Sequence, residues 1–384
     1  MKPVNQNVKR IKKFKMLWVF LLVMGMVTIP TAAKKSSEKP LVQMAILLDT
    51  SNSMDGLIDQ AKTQLWKIVN EMALAKKEGQ SPQLEVALYE YGKSSLPASE
   101  GYLRMIVPLS VDLDRISEEL FNLTTHGGSE YCGKVIQSAA QELQWTESNN
   151  HLKVIFIAGN EPFTQGNVDY RTACKDTISK GIVVNTIFCG NYQKGIRTHW
   201  KDGADLADGK YMNIDQDKKI VHIDAPQDKE LAELGKKLNE TYVAYGKRGY
   251  EKKMRQSRQD SNAATKGEAV MAQRSMAKAS AQYSNVDWDI VDAEKEGKVK
   301  VEELDEDQLP EEMKKMSKEE RKKYIEKKKK EREKIQKKIN QLRKKRDKYV
   351  AAKRKQMAGD DTLDEVVIKT VREQAKQKNY KFEK

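Results

Sequence analysis

Cysteine is scarce in this 384-residue chain: three copies, Cys132, Cys174 and Cys189, with no C-x-x-C pair. That spacing excludes a zinc site built on paired cysteines. Histidine is equally thin, and His126, His151, His199 and His222 stand in no H-E-x-x-H or other ligand spacing. No G-x-S-x-G elbow is present. The run from Gly203 to Gly209-Lys210 has five residues between its glycines and a Tyr after the Lys, so it is no phosphate loop. Aromatics make up only 7% of the chain. What remains as a nucleophile is Cys132, at a helix start that can lower a thiol pKa. With no histidine fixed beside it, a structural or disulfide role is the stronger reading.

The chain also lacks an apolar run of membrane-spanning length. Residues 1–15 carry six Lys/Arg and no acid, and residues 16–29 are a short apolar run. Then comes "PTAAKKSSEKP", with Thr31-Ala32-Ala33 as a small-residue cleavage site. Basic, apolar and small in that order describe a secretory signal peptide over 1–33, and the run is short for a span of about 20 residues. An uncleaved N-terminal anchor is the alternative, and it would be the chain's one link to a membrane. No Cys lies near the cleavage site, which excludes lipoprotein processing. The expected location is exported, periplasmic or cell envelope/extracellular. Removal of 1–33 takes the formal charge from +14 to +8. Export would place the cysteines in an oxidising compartment, and Cys174 and Cys189, flanking a helix–strand unit, are one candidate pair.

Charge is abundant, at 33%, and unevenly placed. Residues 34–40 read as linker. From 41 to 246 short apolar strands alternate with amphipathic helices. "LVQMAILL" and "LKVIFIAG" are continuous enough to be buried strands, "QLEVALYEYG" alternates, and residues 55–77 have helical spacing through Leu57, Ile58, Ala61, Leu65, Ile68 and Val69. That alternation predicts an α/β fold: a doubly wound, mostly parallel sheet flanked by helices. Residues 247–300 read as a polar, partly disordered or helical linker. Residues 301–384 read as a charged helical hairpin or coiled-coil-like region. Its first helix has Ile325, Ile335, Ile339, Leu342 and Tyr349 at heptad-compatible spacing, with Lys328, Arg332 and Arg346 interrupting the seam. Gly359 breaks that helix, and a second follows with Val367 and Val371 on one face. Interspersed Glu and few aromatics argue against nucleic acid as a partner.

One stretch carries chemistry. "DTSNSM" follows the first buried strand and places Asp49, Ser51 and Ser53 at alternate positions. In doubly wound sheets ligands bind beyond the carboxyl ends of strands. A carboxylate and two hydroxyls curled towards one point suit a hard cation such as Mg²⁺ or Mn²⁺. The plainer reading is a helix N-cap.

The stretch resembles the metal-ion-dependent adhesion site (MIDAS) of the von Willebrand factor A (vWA) domain, whose first loop is D-x-S-x-S. The resemblance covers roughly residues 41–246 and implies that Asp49, Ser51 and Ser53 form the first metal-binding loop. The family's second loop, Gly-Gly-Thr opening a helix, is matched by Gly127-Gly128-Ser129. Ser129 is then the donor and Thr125 its substitute, while Glu130 accepts a hydrogen bond behind the ligands. The third loop, Thr-Asp-Gly in the family, is here Ala158-Gly159-Asn160. The expected Asp is missing, and Asn160 or Glu161 would supply the oxygen. The function implied is divalent-cation-dependent, non-enzymatic binding of a protein partner that contributes an acidic oxygen. The alternatives are a metal-free envelope scaffold and a Cys132-dependent enzyme.

Overall fold

In the computed structural model, residues 39–214, 223–356 and 363–382 are described. The signal-peptide segment 1–33, His222 and Gly359 lie outside them. The strands are β1 Leu41–Asp49, β2 Ala75–Lys76, β3 Gln83–Tyr91, β4 Leu103–Ser110, β5 Leu152–Gly159, β6 Val183–Cys189, β7 Tyr211–Ile214 and β8 Lys381–Phe382. The helices up to the end of the predicted α/β region are α1 Asp55–Met72, α2 Leu113–Asn122, α3 Cys132–Glu142, α4 Tyr170–Ser179, α5 Tyr192–Arg197, α6 Trp200–Asp205 and α7 Asp228–Asn239. Beyond it follow α8 Gly249–Thr265, α9 Glu268–Lys278, α10 Ile290–Lys295, α11 Glu311–Lys314, α12 Lys318–Gln356 and α13 Leu363–Gln377.

Six strands form one sheet in the order β4-β3-β1-β5-β6-β7. All neighbours are parallel except β3 and β4. The central strands are mostly apolar because helices cover both faces. Gln43, the polar exception in β1, is buried but satisfied: its amide donates to Glu85 and accepts from the backbone N–H of Thr146 at 2.8 Å. The chain steps from β1 outward to β3 and β4, then returns to β5 on the other side of β1. The carboxyl ends of β1 and β5 therefore meet at a topological switch point, where open α/β sheets form ligand crevices. Asp49 ends β1 beside Tyr91 of β3, and Gly159 ends β5.

One face of the sheet packs on α3, α4 and α6 through Cys132, Val135, Ile136, Cys174 and Trp200. The other packs on α1 and α2, and also on α7, α9, α12 and α13. The region after 246 is thus part of the same core, and from Lys39 onward the chain forms one compact unit. Residues 247–300 are helical and packed, not a linker, and 301–384 is not a free-standing hairpin. α13 lies on α1 and β7 with Val367, Val371 and Ala375 buried, and β8 pairs antiparallel with β2. That pairing also explains why α1 stops at Met72, short of the predicted residue 77: Ala75–Lys76 is recruited as a strand.

The charged interruptions of the heptad seam turn out to be anchors. Ile325, Arg332, Ile339 and Arg346 are seven residues apart and all buried. The Arg332 guanidinium donates to Asp289 at 2.6 Å, to Asp292 at 2.7 Å and to the Thr241 carbonyl. Arg346 binds Asp228 at 2.5 Å. The seam is satisfied within the chain by acids of α7 and α10 and their flanks, so it needs no second helix of the same kind.

The candidate disulfide is not formed, and all three cysteines are free and buried. In β6 alternate residues point to opposite faces. Val184 and Phe188 face the layer that holds Cys174, while Ile187 and Cys189 face the other. The sheet itself separates the two thiols. Burial also pushes the Cys132 thiol well above its ordinary value, which is the reverse of activation at a helix start. We expect a thiol reagent in native buffer to label none of the three except through unfolding. Stoichiometric labelling within the mixing time would contradict this packing.

Candidate functional site

Four loops meet at the switch point. The backbone of Thr50 donates to Tyr91 O at 2.8 Å, and His126 N donates to Thr50 O at 2.9 Å. Ser94 N donates to Gly127 O at 2.7 Å. The Tyr91 hydroxyl donates to Ala158 O at 2.9 Å, and the Trp200 indole to Glu161 O at 2.8 Å. These bonds fix the ends of β1, β3 and β5 and the 126–130 loop against one another. Gly92 adopts φ +79°, and a Cβ there would lie 2.7 Å from Asp49 Oδ1, so the 92–94 turn can pass behind the site only as glycine.

Asp49 lies at the floor and is wholly buried. Its Oδ1 accepts the backbone N–H of Ser51 at 2.7 Å, which curls the loop, while Oδ2 has no hydrogen-bond partner. Ser51 is buried beside it, and Ser53 is on the exposed rim. The two hydroxyls are 3.5 Å apart. Neither caps a helix: the short 3-10 turn Asn52–Met54 and α1 both begin without a side-chain cap bond. The N-cap reading of "DTSNSM" therefore fails.

The structure brings most of the other expected residues to the same place. Asn160 donates through Nδ2 to Ser53 Oγ at 2.9 Å, while its buried Oδ1 is unpartnered. Ser129 lies half-buried one residue before the floor. Glu161 is exposed, with its side chain accepting from Gln165 at 3.3 Å. Thr125 is spent elsewhere, donating to Asp55 at 2.6 Å. His126 pairs with Ser94 at 2.7 Å as an ordinary loop residue.

Glu130 is the residue whose place the sequence reading underestimated. It is not behind the ligands but on the floor, buried, with its carboxylate against those of Asp49 and against Ser51. Its Oε2 accepts the backbone N–H of Glu161 at 3.3 Å. Burial first, and the facing carboxylate second, raise the pKa of Glu130; burial also raises that of Asp49. The usable signal was the absence of an acid in the third loop together with an acid directly after Gly-Gly-Ser.

Among the described residues no three His, Cys, Asp or Glu side chains form a metal-ligand group. The donors beyond the carboxylate pair are hydroxyl and amide oxygens, which suit a hard cation and not a soft one. An orphaned carboxylate oxygen, an orphaned amide oxygen and a buried pair of acids with no basic side chain at ion-pair distance among the described residues fit a divalent cation. Asp49, Ser51 and Ser53 would hold it, with Asn160 and Ser129 at the rim.

Residues 43–198 match the family model of the von Willebrand factor type A domain. The match ends just past α5, and the later segments that pack on α1 lie outside it. Several solved structures resemble the chain. One is the conserved hypothetical protein BatB from Bacteroides thetaiotaomicron, 16% identical over 45% of this chain and 90% of that one, with a TM-score of 0.35. Another is the SpRpn10 VWA domain, 16% identical over 45% and 88% of the two chains, TM-score 0.35. A third is proximal thread matrix protein 1 from the mussel byssus with a zinc-occupied MIDAS motif, 16% identical over 47% and 43%, TM-score 0.35. No curated protein is matched. Among the described residues no helix is long and apolar enough to cross a membrane.

Proposed function

We propose that the A-type domain binds a divalent cation, Mg²⁺ or Mn²⁺, at the Asp49 loop and uses it to hold an acidic oxygen of a protein partner. The chain is then an exported, non-enzymatic binding protein. The observation that carries this reading is the unpartnered, wholly buried Oδ2 of Asp49 beside two hydroxyls that cap no helix. A buried carboxylate oxygen without a partner costs about 1–3 kcal/mol or more, and a cation removes that cost. The buried floor and exposed rim give the cation one open side, where a partner carboxylate can complete the coordination. The basic residues 1–15, the apolar run after them and the small-residue site at Thr31-Ala32-Ala33 are the reason to place the protein outside the cytoplasm.

Titration calorimetry of the 34–384 chain tests the site. Native protein should show one-site binding of Mg²⁺ or Mn²⁺, and Asp49→Ala should show none. Absence of heat with native protein would leave a metal-free envelope scaffold, its two acids sharing a proton, as the better description. A pull-down from envelope extract should lose its specific partner on chelation and regain it with added Mg²⁺.

A further inference from the structure

We propose that Glu130 is a direct ligand of the cation and supplies the carboxylate that the third loop cannot; this rests on the cation reading above. Position 159 is closed to any side chain. A Cβ there would lie 2.5 Å from the Tyr91 hydroxyl, 3.1 Å from Trp200 and 3.2 Å from Asp49 Cβ. The next two residues do not replace it at the floor. Asn160 is neutral, and Glu161 is exposed and directs its carboxylate to Gln165. Glu130 packs beside Asp49 and Ser51: a Cβ on Gly92 would lie 2.7 Å from Asp49 Oδ1 and 2.9 Å from Glu130 Cγ.

Its placement is built, not incidental. The Glu130 N–H is held by Gln165 Oε1 at 3.1 Å, and its carboxylate by the N–H of Glu161 at 3.3 Å. Gly128 lets the loop come in: a Cβ there would sit 2.5 Å from Gly92 O. Two acids are thus buried side by side, and one of them, Asp49, keeps an oxygen with no hydrogen-bond partner. Among the described residues no basic side chain pairs with them, so the two acids are stabilised either by a shared proton or by a cation between them, and a cation also occupies the open oxygen of Asp49. The second-loop acid therefore substitutes for a third-loop acid, and the site keeps two carboxylates with the glycine that Tyr91 and Trp200 demand at 159.

Glu130→Gln tests this, because Gln keeps the shape and hydrogen-bonding reach while removing the charge. Binding of Mg²⁺ and Mn²⁺ to the 34–384 chain should weaken more than the roughly 10–100-fold expected of a residue that only orients a ligand. The urea midpoint measured with chelator should stay at the native value, which separates lost ligation from lost folding. Water-proton relaxation by bound Mn²⁺ gives a second readout: Glu130→Ala, saturated at high Mn²⁺, should gain an inner-sphere water. If Glu130→Gln binds as native protein does while Asp49→Ala does not, the role of Glu130 is overturned and the cation site stands. If Asp49→Ala also binds normally, both readings fall.

Discussion

A chain cut after Gly246 is expected not to fold as an independent domain, although the family match ends well before that point. Helix α1 packs on the sheet with one side and on segments after 246 with the other. Ile339, Leu342, Val367, Val371 and Tyr380 are buried in the same cluster as Trp66, Val69 and Met72 of α1. Each such side chain contributes about 1.5–3 kcal/mol on burial, and a domain's whole net stability is about 5–15 kcal/mol. Losing the set removes a sum of that size and exposes its partners on α1 and β7. Polar ties go with it: Tyr380 donates to Leu41 O at 3.0 Å, and Asn185 exchanges amide hydrogen bonds with Gln374 at 2.7 and 3.1 Å. We expect residues 34–246 to show no cooperative urea transition and little near-ultraviolet circular dichroism. A soluble 34–246 fragment that unfolds with the midpoint of the 34–384 chain would refute this.

The second large effect is expected at Arg274. Its side chain is fully buried in α9, 4.3 Å from the Trp66 ring centroid and 5.1 Å from that of Tyr283. It pairs with Asp114 of α2 at 2.7 Å and with Asp260 of α8 at 2.9 Å. Lys278, also fully buried, shares Asp260 at 2.5 Å. Burial raises Asp114 above its ordinary value even with Arg274 beside it. Arg274→Met would fill much of the volume but leave two acids in the interior with one cation. Breaking a buried pair this way costs about 3–5 kcal/mol. We expect a urea midpoint lowered accordingly, and a smaller loss in Arg274→Met combined with Asp114→Asn than the single changes sum to. Additive losses would mean that the two side chains are not coupled.

These two expectations share a cause that the sequence conceals. Arg274, Lys278, Arg332 and Arg346 stand in stretches whose composition is that of solvated helix, and by type such residues are rarely buried. Each is inside only because an acid distant in the chain meets it: Asp114 and Asp260, Asp289 and Asp292, Asp228. No local pattern reports such a pairing.

The strands of the six-stranded sheet and their alternation with helices were legible from their apolar runs, whereas the short pair β2 and β8 was not, because two residues carry no pattern. The first loop was legible too: an Asp and two Ser directly after such a strand are few residues in fixed spacing. Helix α1 and the second loop followed from periodicity and from paired glycines.

What the sequence determined by itself is therefore the α/β class, the position of β1 and β5, and Asp49, Ser51 and Ser53 as one loop. Tertiary structure alone decided the rest. It set Cys174 and Cys189 on opposite faces, because β6 alternates and the sheet lies between them. It folded the charged tail into the core, because distant acids neutralise its arginines. It placed Glu130 on the floor of the site, because Gly128 lets its loop approach Gly92 and bonds with Gln165 and Glu161 hold it there.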